Sequence, residues 1–167
     1  MKLHAKGVVI AALVALLAGA MPLLPAGMAA QQDDNVRIIR SVAAREGIPP
    51  QVLLAIARRE DARLDPAALG DVGSRWGPSV GVFQIQYRLH GLTAAQCRGV
   101  EFSARWTCRR ITSWNRGLWY GVGRHNGDGE AARRYIADIR RRAGQIETGS
   151  GGNAADVSRA KNPPARK

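Results

Sequence analysis

PPQVLLAIARRE, residues 49–60, reads as a helix that opens on proline and closes on a carboxylate. Pro49 or Pro50 can stand in its first turn, where a missing N–H removes no helical hydrogen bond. Leu53, Ile56 and Ala57 recur at helical spacing and define an apolar face. Glu60 follows at the same spacing and extends that face, while Arg58 and Arg59 are expected to point elsewhere. A carboxyl held against an apolar wall is desolvated, so its pKa rises. It then keeps its proton closer to neutral pH, as a general acid must. Asp61, next in sequence, is expected to push in the same direction. The competing reading is a surface Glu paired with Arg59 or Arg63.

The elements around this helix are also expected to be helical. Asp33 and Asp34 can cap an earlier helix that carries Val36, Ile39, Val42 and Ala43 and stops at Gly47. Residues 65–78 read as a loop with three glycines and two prolines, followed by the short apolar segment SVGVFQIQ. Thr93 and Gln96 have capping-box spacing for a short helix. Residues 103–124 carry Trp106, Trp114, Trp119 and Tyr120 on two helices, and HNGDG interrupts the pattern. A last amphipathic helix over 130–145 has Ala132, Tyr135, Ile136, Ile139 and Ala143 as its apolar stripe. The expected fold is all-α, one small domain with irregular connections.

Lys2, Lys6, the apolar run over 8–24 and the small residues of PAGMAA predict a secretory signal peptide over 1–30, cut near Ala29 or Ala30. Pro22 and Pro25 argue against an uncleaved span, so no stable membrane insertion is expected after cleavage. The remaining 137 residues suit one domain. Loss of Lys2 and Lys6 lowers the formal charge from +12 to +10, and twenty-one of the 25 basic residues in the chain are Arg. For an exported protein this balance favours anionic envelope polymers or membranes. No nucleic-acid-binding motif is present, so nucleic acid is not expected as a partner. Two cysteines in an exported chain predict a Cys97–Cys108 disulfide, with two buried thiols as the alternative. His90 and His125 show no zinc-ligand spacing, and neither metal nor cofactor is implied. The segment 148–167, rich in Gly, Ser, Asn, Pro and Lys, is expected to be a disordered basic tail.

Four segments in order, LLAIARREDARLDPAAL, GDVGSRWGPSVGVFQIQ, GRHNGDG and RRYIADI, together resemble the catalytic domain of lytic transglycosylases, of the goose-type lysozyme-like fold. The similarity spans roughly residues 35–145. It implies a domain over 31–147 that cleaves the β-1,4 bond between N-acetylmuramic acid and N-acetylglucosamine in peptidoglycan, in the periplasm, with Glu60 as acid and base. It implies that Ser79, Gly81, Gln84 and Ile85 line the cleft, that Asn126 and Gly127 form the third motif, and that Tyr135 hydrogen-bonds near Glu60. The chain departs from the family pattern at three places. Asp61 stands where Ser is usual, His125 where Tyr is usual, and Phe83 where Met or Leu is usual. If Asp61 is only a tolerated departure, Ser in its place preserves or raises activity. Plainer roles stay open for several residues: Gln84 as an ordinary polar residue facing solvent, Asn126 and Gly127 as a turn, Tyr135 as part of the core.

Most glycosidases need two carboxylates. Asp71, in a glycine-rich loop, is the one plausible second carboxylate and resembles the auxiliary Asp of some goose-type lysozymes. A lytic transglycosylase dispenses with it. The alternatives are therefore a lysozyme, or a cell-wall-binding protein without catalysis. By analogy with enzymes of this size, a secretion or conjugation machine spanning the envelope is an expected partner beside the glycan strands.

Overall fold

The computed structural model describes residues 26–149. The expected signal peptide falls largely outside this range, and so does the expected tail from residue 150. The protein is mostly helical, with six helices and a small three-stranded sheet among the described residues. The all-α expectation is corrected by that sheet. Its strands, β1 (Leu69–Gly70), β2 (Ser79–Val80) and β3 (Ile85–Gln86), pair antiparallel in the order β1-β2-β3. At two residues each they are too short to show alternation in the sequence.

Helix α1 (Ala26–Arg45) ends at a left-handed Gly47, with φ 72°. The Gly47 N–H donates to the Ala44 carbonyl and the Ile48 N–H to the Ala43 carbonyl, the paired bonds of a Schellman ending. Asp33 and Asp34 do not cap it, because α1 runs back through both to Ala26. Both are exposed, and Asp34 pairs with Arg37 one turn on.

Helix α2 (Pro50–Glu60) has Pro49 as its N-cap and Pro50 at its first position. Six consecutive residues, Val52 to Ala57, are buried rather than a single face. A helix buried all round is a core helix, and α2 packs between α1 and α6 (Gly129–Gly149). Burying each Leu or Ile there contributes about 1.5–3 kcal/mol. The last helix thus runs beyond the expected Gln145 and through residue 148, where the tail was expected to start.

Thr93 and Gln96 form the expected capping box of α3 (Ala94–Arg98). Helix α4 (Val100–Thr112) packs on α1 and on α5 (Leu118–His125). The approach of α5 to α4 requires Gly121, where a Cβ would stand 1.9 Å from the Ile111 carbonyl oxygen. The expected disulfide is absent: Cys97 on α3 and Cys108 on α4 are buried free thiols that do not lie near each other. Each is taken up by its own helix's packing into the core. Burial, with the Glu46 charge adding to it, pushes the Cys108 thiol up to about 12. No helix among the described residues is long and apolar enough to cross a membrane.

Candidate active site

Glu60 is the last residue of α2, with its side chain 20% exposed. Tyr135, buried on α6, donates its hydroxyl to Glu60 Oε1 at 2.8 Å. Its apolar neighbours fix the ring, and the one polar atom of the side chain is spent on the carboxyl. Arg59 does not point elsewhere. Its guanidinium lies 4.3 Å from the Tyr135 ring centroid, its Nε donates to Asp138 Oδ2 at 3.1 Å, and its Nη1 stands 3.4 Å from Glu60 Oε1. Burial raises the Asp138 pKa, but hydrogen bonding and charge from Arg142, with Arg141 and Arg59, more than offset it. Asp138 therefore stays ionised and anchors Arg59.

Burial pushes the Glu60 carboxyl above its ordinary value of 4.5, and the Asp71 charge adds to this. The Tyr135 hydrogen bond and Arg59 act the other way without overcoming it. The neighbour that raises the proton affinity is thus Asp71, where Asp61 was expected. Asp61 is occupied by its own turn. It accepts from the Arg63 N–H at 3.2 Å and from the Asp65 N–H, locking the chain as it leaves α2. The buried Asn35 on α1 donates to the Leu64 carbonyl at 2.9 Å and holds the same turn from the other side. A Ser at 61 would offer a single short acceptor to these two N–H donors, so Asp61 has a structural role in this turn.

The second motif folds as a hairpin. Ser79 pairs with Gln86 and Val80 with Ile85, which leaves Gly81 to Gln84 as the connecting turn. The Gln84 N–H donates to the Gly81 carbonyl at 3.0 Å. Ser79 Oγ donates to Gln84 Oε1 at 2.8 Å, and Gln84 Nε2 donates to the Gly81 carbonyl at 2.8 Å. Gly81 is required in two ways: its φ is 77°, and a Cβ there would come within 2.3 Å of the Cys97 carbonyl oxygen. Ser79 and Gly81 therefore shape the turn, while Gln84 and Ile85 reach the cleft.

That cleft has a volume of about 470 Å³. Glu60, Gln84, Ile85, His125 and Asn126 all line it, although they come from three distant segments. Asn126 caps the end of α5 and is exposed. Its side chain makes no hydrogen bond among the described residues, which leaves its amide available to a ligand. The half-buried His125 ring lies 6.4 Å from that of Tyr135. Burial, then the charges of Arg110 and His90, push its pKa down to about 4, so it is neutral at neutral pH. Tyr135 itself is not on the cleft wall and reaches it through Glu60.

Asp71 lines the same cleft, held in the left-handed region at φ 48°. The sequence reading did not place His90, Trp106 or Arg110 there. Trp106 and Arg110 are one helical turn apart on α4, and the Trp106 ring packs against His90, tilted by 50° with centroids 4.8 Å apart. The spacing of Trp106 and Arg110 was a usable signal. Their place on the same cleft as Glu60 depends on tertiary packing and was not. Among the four tryptophans, Trp106 is the one on the cleft wall. Among the described residues no group of three or more His, Cys, Asp or Glu side chains is placed to hold a metal ion.

Such an arrangement can deliver a proton from one sequestered carboxyl to a polar ligand lying between aromatic, amide and guanidinium groups. No protein-family model, curated protein or solved structure matches the chain.

Proposed function

We propose that the protein is a peptidoglycan lytic transglycosylase with a lysozyme-like fold. The observation that carries this reading is the Glu60 carboxyl. It is protonated more readily than an ordinary Glu and fixed by Tyr135 at the edge of a cleft lined by Gln84, Ile85, His125 and Asn126. Glu60 donates its proton to the oxygen that links N-acetylmuramic acid to N-acetylglucosamine. The N-acetyl group of the substrate stabilises the positive sugar centre. Ionised Glu60 then takes the proton of the muramoyl C6 hydroxyl, whose oxygen closes a 1,6-anhydro ring. The proton taken up matches the proton given, and no water is consumed. Tyr135 serves both halves: its hydroxyl can donate to Oε1 in either state and holds the carboxyl in place.

Asp71 supports a second reading. A carboxylate on the same cleft is what a hydrolase needs to activate water. The product separates the two. Mature protein is mixed with purified peptidoglycan, and soluble products are read by mass spectrometry. Anhydro-muropeptides are expected, and Glu60→Gln lowers their yield by at least about 10²-fold. Reducing-end muropeptides would replace this reading by the lysozyme. Retained glycan binding with no product from the wild type would leave a wall-binding protein without catalysis. The same exported, wall-directed reading places the protein in the periplasm, with a secretion or conjugation machine as the partner that gains a local opening in the wall.

A further inference from the structure

Arg110 is a half-buried side chain on the cleft wall. Among the described residues no carboxylate pairs with its guanidinium, and none of its N–H donors makes a side-chain hydrogen bond. Its recorded partner is the Trp114 ring, with 5.4 Å from the guanidinium carbon to the ring centroid. A ring face satisfies charge but none of the five donors. The other cleft arginine, Arg124, also lies over the Trp114 ring, at 4.9 Å, but has a carboxylate partner: its Nη1 donates to Asp128 Oδ2 at 2.6 Å. The remaining charges on the wall are distributed unevenly. Asp71 acts on Glu60, whereas Arg110 acts on His90 and His125. The cleft therefore holds the Glu60 and Asp71 carboxyls together and, apart from them, Arg110 as a cation beside His90 and His125, whose lowered proton affinity leaves both imidazoles neutral. The guanidinium donors of the half-buried Arg110 stay open to the cleft, and a planar fork of donors matches a carboxylate.

We propose that Arg110 is a specificity-determining residue that receives a carboxylate of the glycan substrate. Trp106, one turn earlier on the same face of α4 and tilted against His90, gives the adjoining sugar an apolar platform. This rests on the peptidoglycan reading of the cleft and narrows it. The site selects muramoyl-containing strands, which bear carboxylates, over chemically similar neutral chitin strands. The carboxylate can come from the lactyl ether of muramic acid or from its peptide stem.

The test is equilibrium binding to the Glu60→Gln protein, which cannot turn over its ligand. Calorimetry compares three tetrasaccharides: neutral chitotetraose, a GlcNAc–MurNAc dimer with free lactyl carboxylates, and the same dimer carrying tetrapeptide stems. At least one anionic ligand is expected to bind about 10- to 100-fold tighter than chitotetraose, as one charge-assisted contact allows. Preference for the bare dimer identifies the lactyl group, and preference for the stem-bearing one identifies the peptide. Adding Arg110→Ala should erase the preference by weakening the anionic ligand far more than chitotetraose, and Arg110→Lys should restore part of it. Equal affinity for all three ligands, or equal weakening of all three by Arg110→Ala, overturns the role of Arg110 and leaves the transglycosylase reading standing. Binding of none of them overturns both. Near-ultraviolet circular dichroism of each variant separates a lost contact from a lost fold.

Discussion

At Glu60, burial and hydrogen bonding pull proton affinity in opposite directions, and burial wins. This has a consequence for stability as well as for chemistry. Below pH 4.5, the ordinary value of the group, the carboxyl is protonated in folded and unfolded chains alike. As pH rises past 4.5 the unfolded chain ionises first, and the folded state loses stability relative to it until the raised folded pKa is passed. Glu60→Gln has no such loss, and its amide oxygen can still accept from Tyr135. The variant should therefore melt above the wild type at pH 7, with the gap closing well below pH 4.5. Thermal unfolding across pH 3–8 measures this. A variant less stable than wild type at pH 7 would show that Arg59 and Tyr135 outweigh desolvation. The sequence placed Glu60 on an apolar helix, and that was sufficient to anticipate the direction of the shift. It could not distinguish Asp71 from Asp61 as the assisting charge. One is adjacent in sequence and turned into its own loop; the other is remote and faces the same cleft.

Among the elements, the hairpin over residues 79–86 converts a short motif into a wall of the cleft. Its strands contribute little by themselves, and the turn depends on side-chain bonds between Ser79, Gln84 and the Gly81 carbonyl. Gln84 is itself left-handed, with φ 47°, a conformation costing about 1–3 kcal/mol in a non-glycine residue unless its surroundings enforce it. Gly81→Ala adds a second strained residue and drives a methyl into the Cys97 carbonyl. We expect a loss of about 1–3 kcal/mol in urea unfolding and, on the proposed function, weaker glycan binding as Gln84 is displaced. A variant with wild-type stability would mean that α3 can move away from the hairpin without cost. Helices were the legible elements here because their signals are local: Pro50, the Thr93–Gln96 box and Gly47 each act within one turn. The sheet was not legible, since two-residue strands exist only through their partners. Nor did periodicity reveal that α2 is enclosed on every side, because that requires α1 and α6 to cover it together.

Taken as a whole, the molecule is held together by its apolar core rather than by a covalent staple. Cys97 and Cys108 belong to that core, each fully buried and separated from the other. The expectation of a bridge came from counting cysteines in an exported chain, a rule about compartment that contains no geometry. Geometry decides against it, because helix packing directs each sulfur into the interior and desolvation then suppresses the reactive thiolate at Cys108. Native protein should therefore resist alkylation by iodoacetamide at pH 8. After unfolding in guanidinium with no reductant present, both cysteines should be labelled, adding two carbamidomethyl groups by intact mass. Reductant should leave the melting temperature unchanged, whereas a short-loop disulfide would make it fall by roughly 10 °C or more, in line with about 3 kcal/mol of lost stabilisation. Absence of labelling in the unfolded, unreduced chain would restore the bridge. It would also require α3 and α4 to pack differently, and with them the Gly81 turn that rests against Cys97.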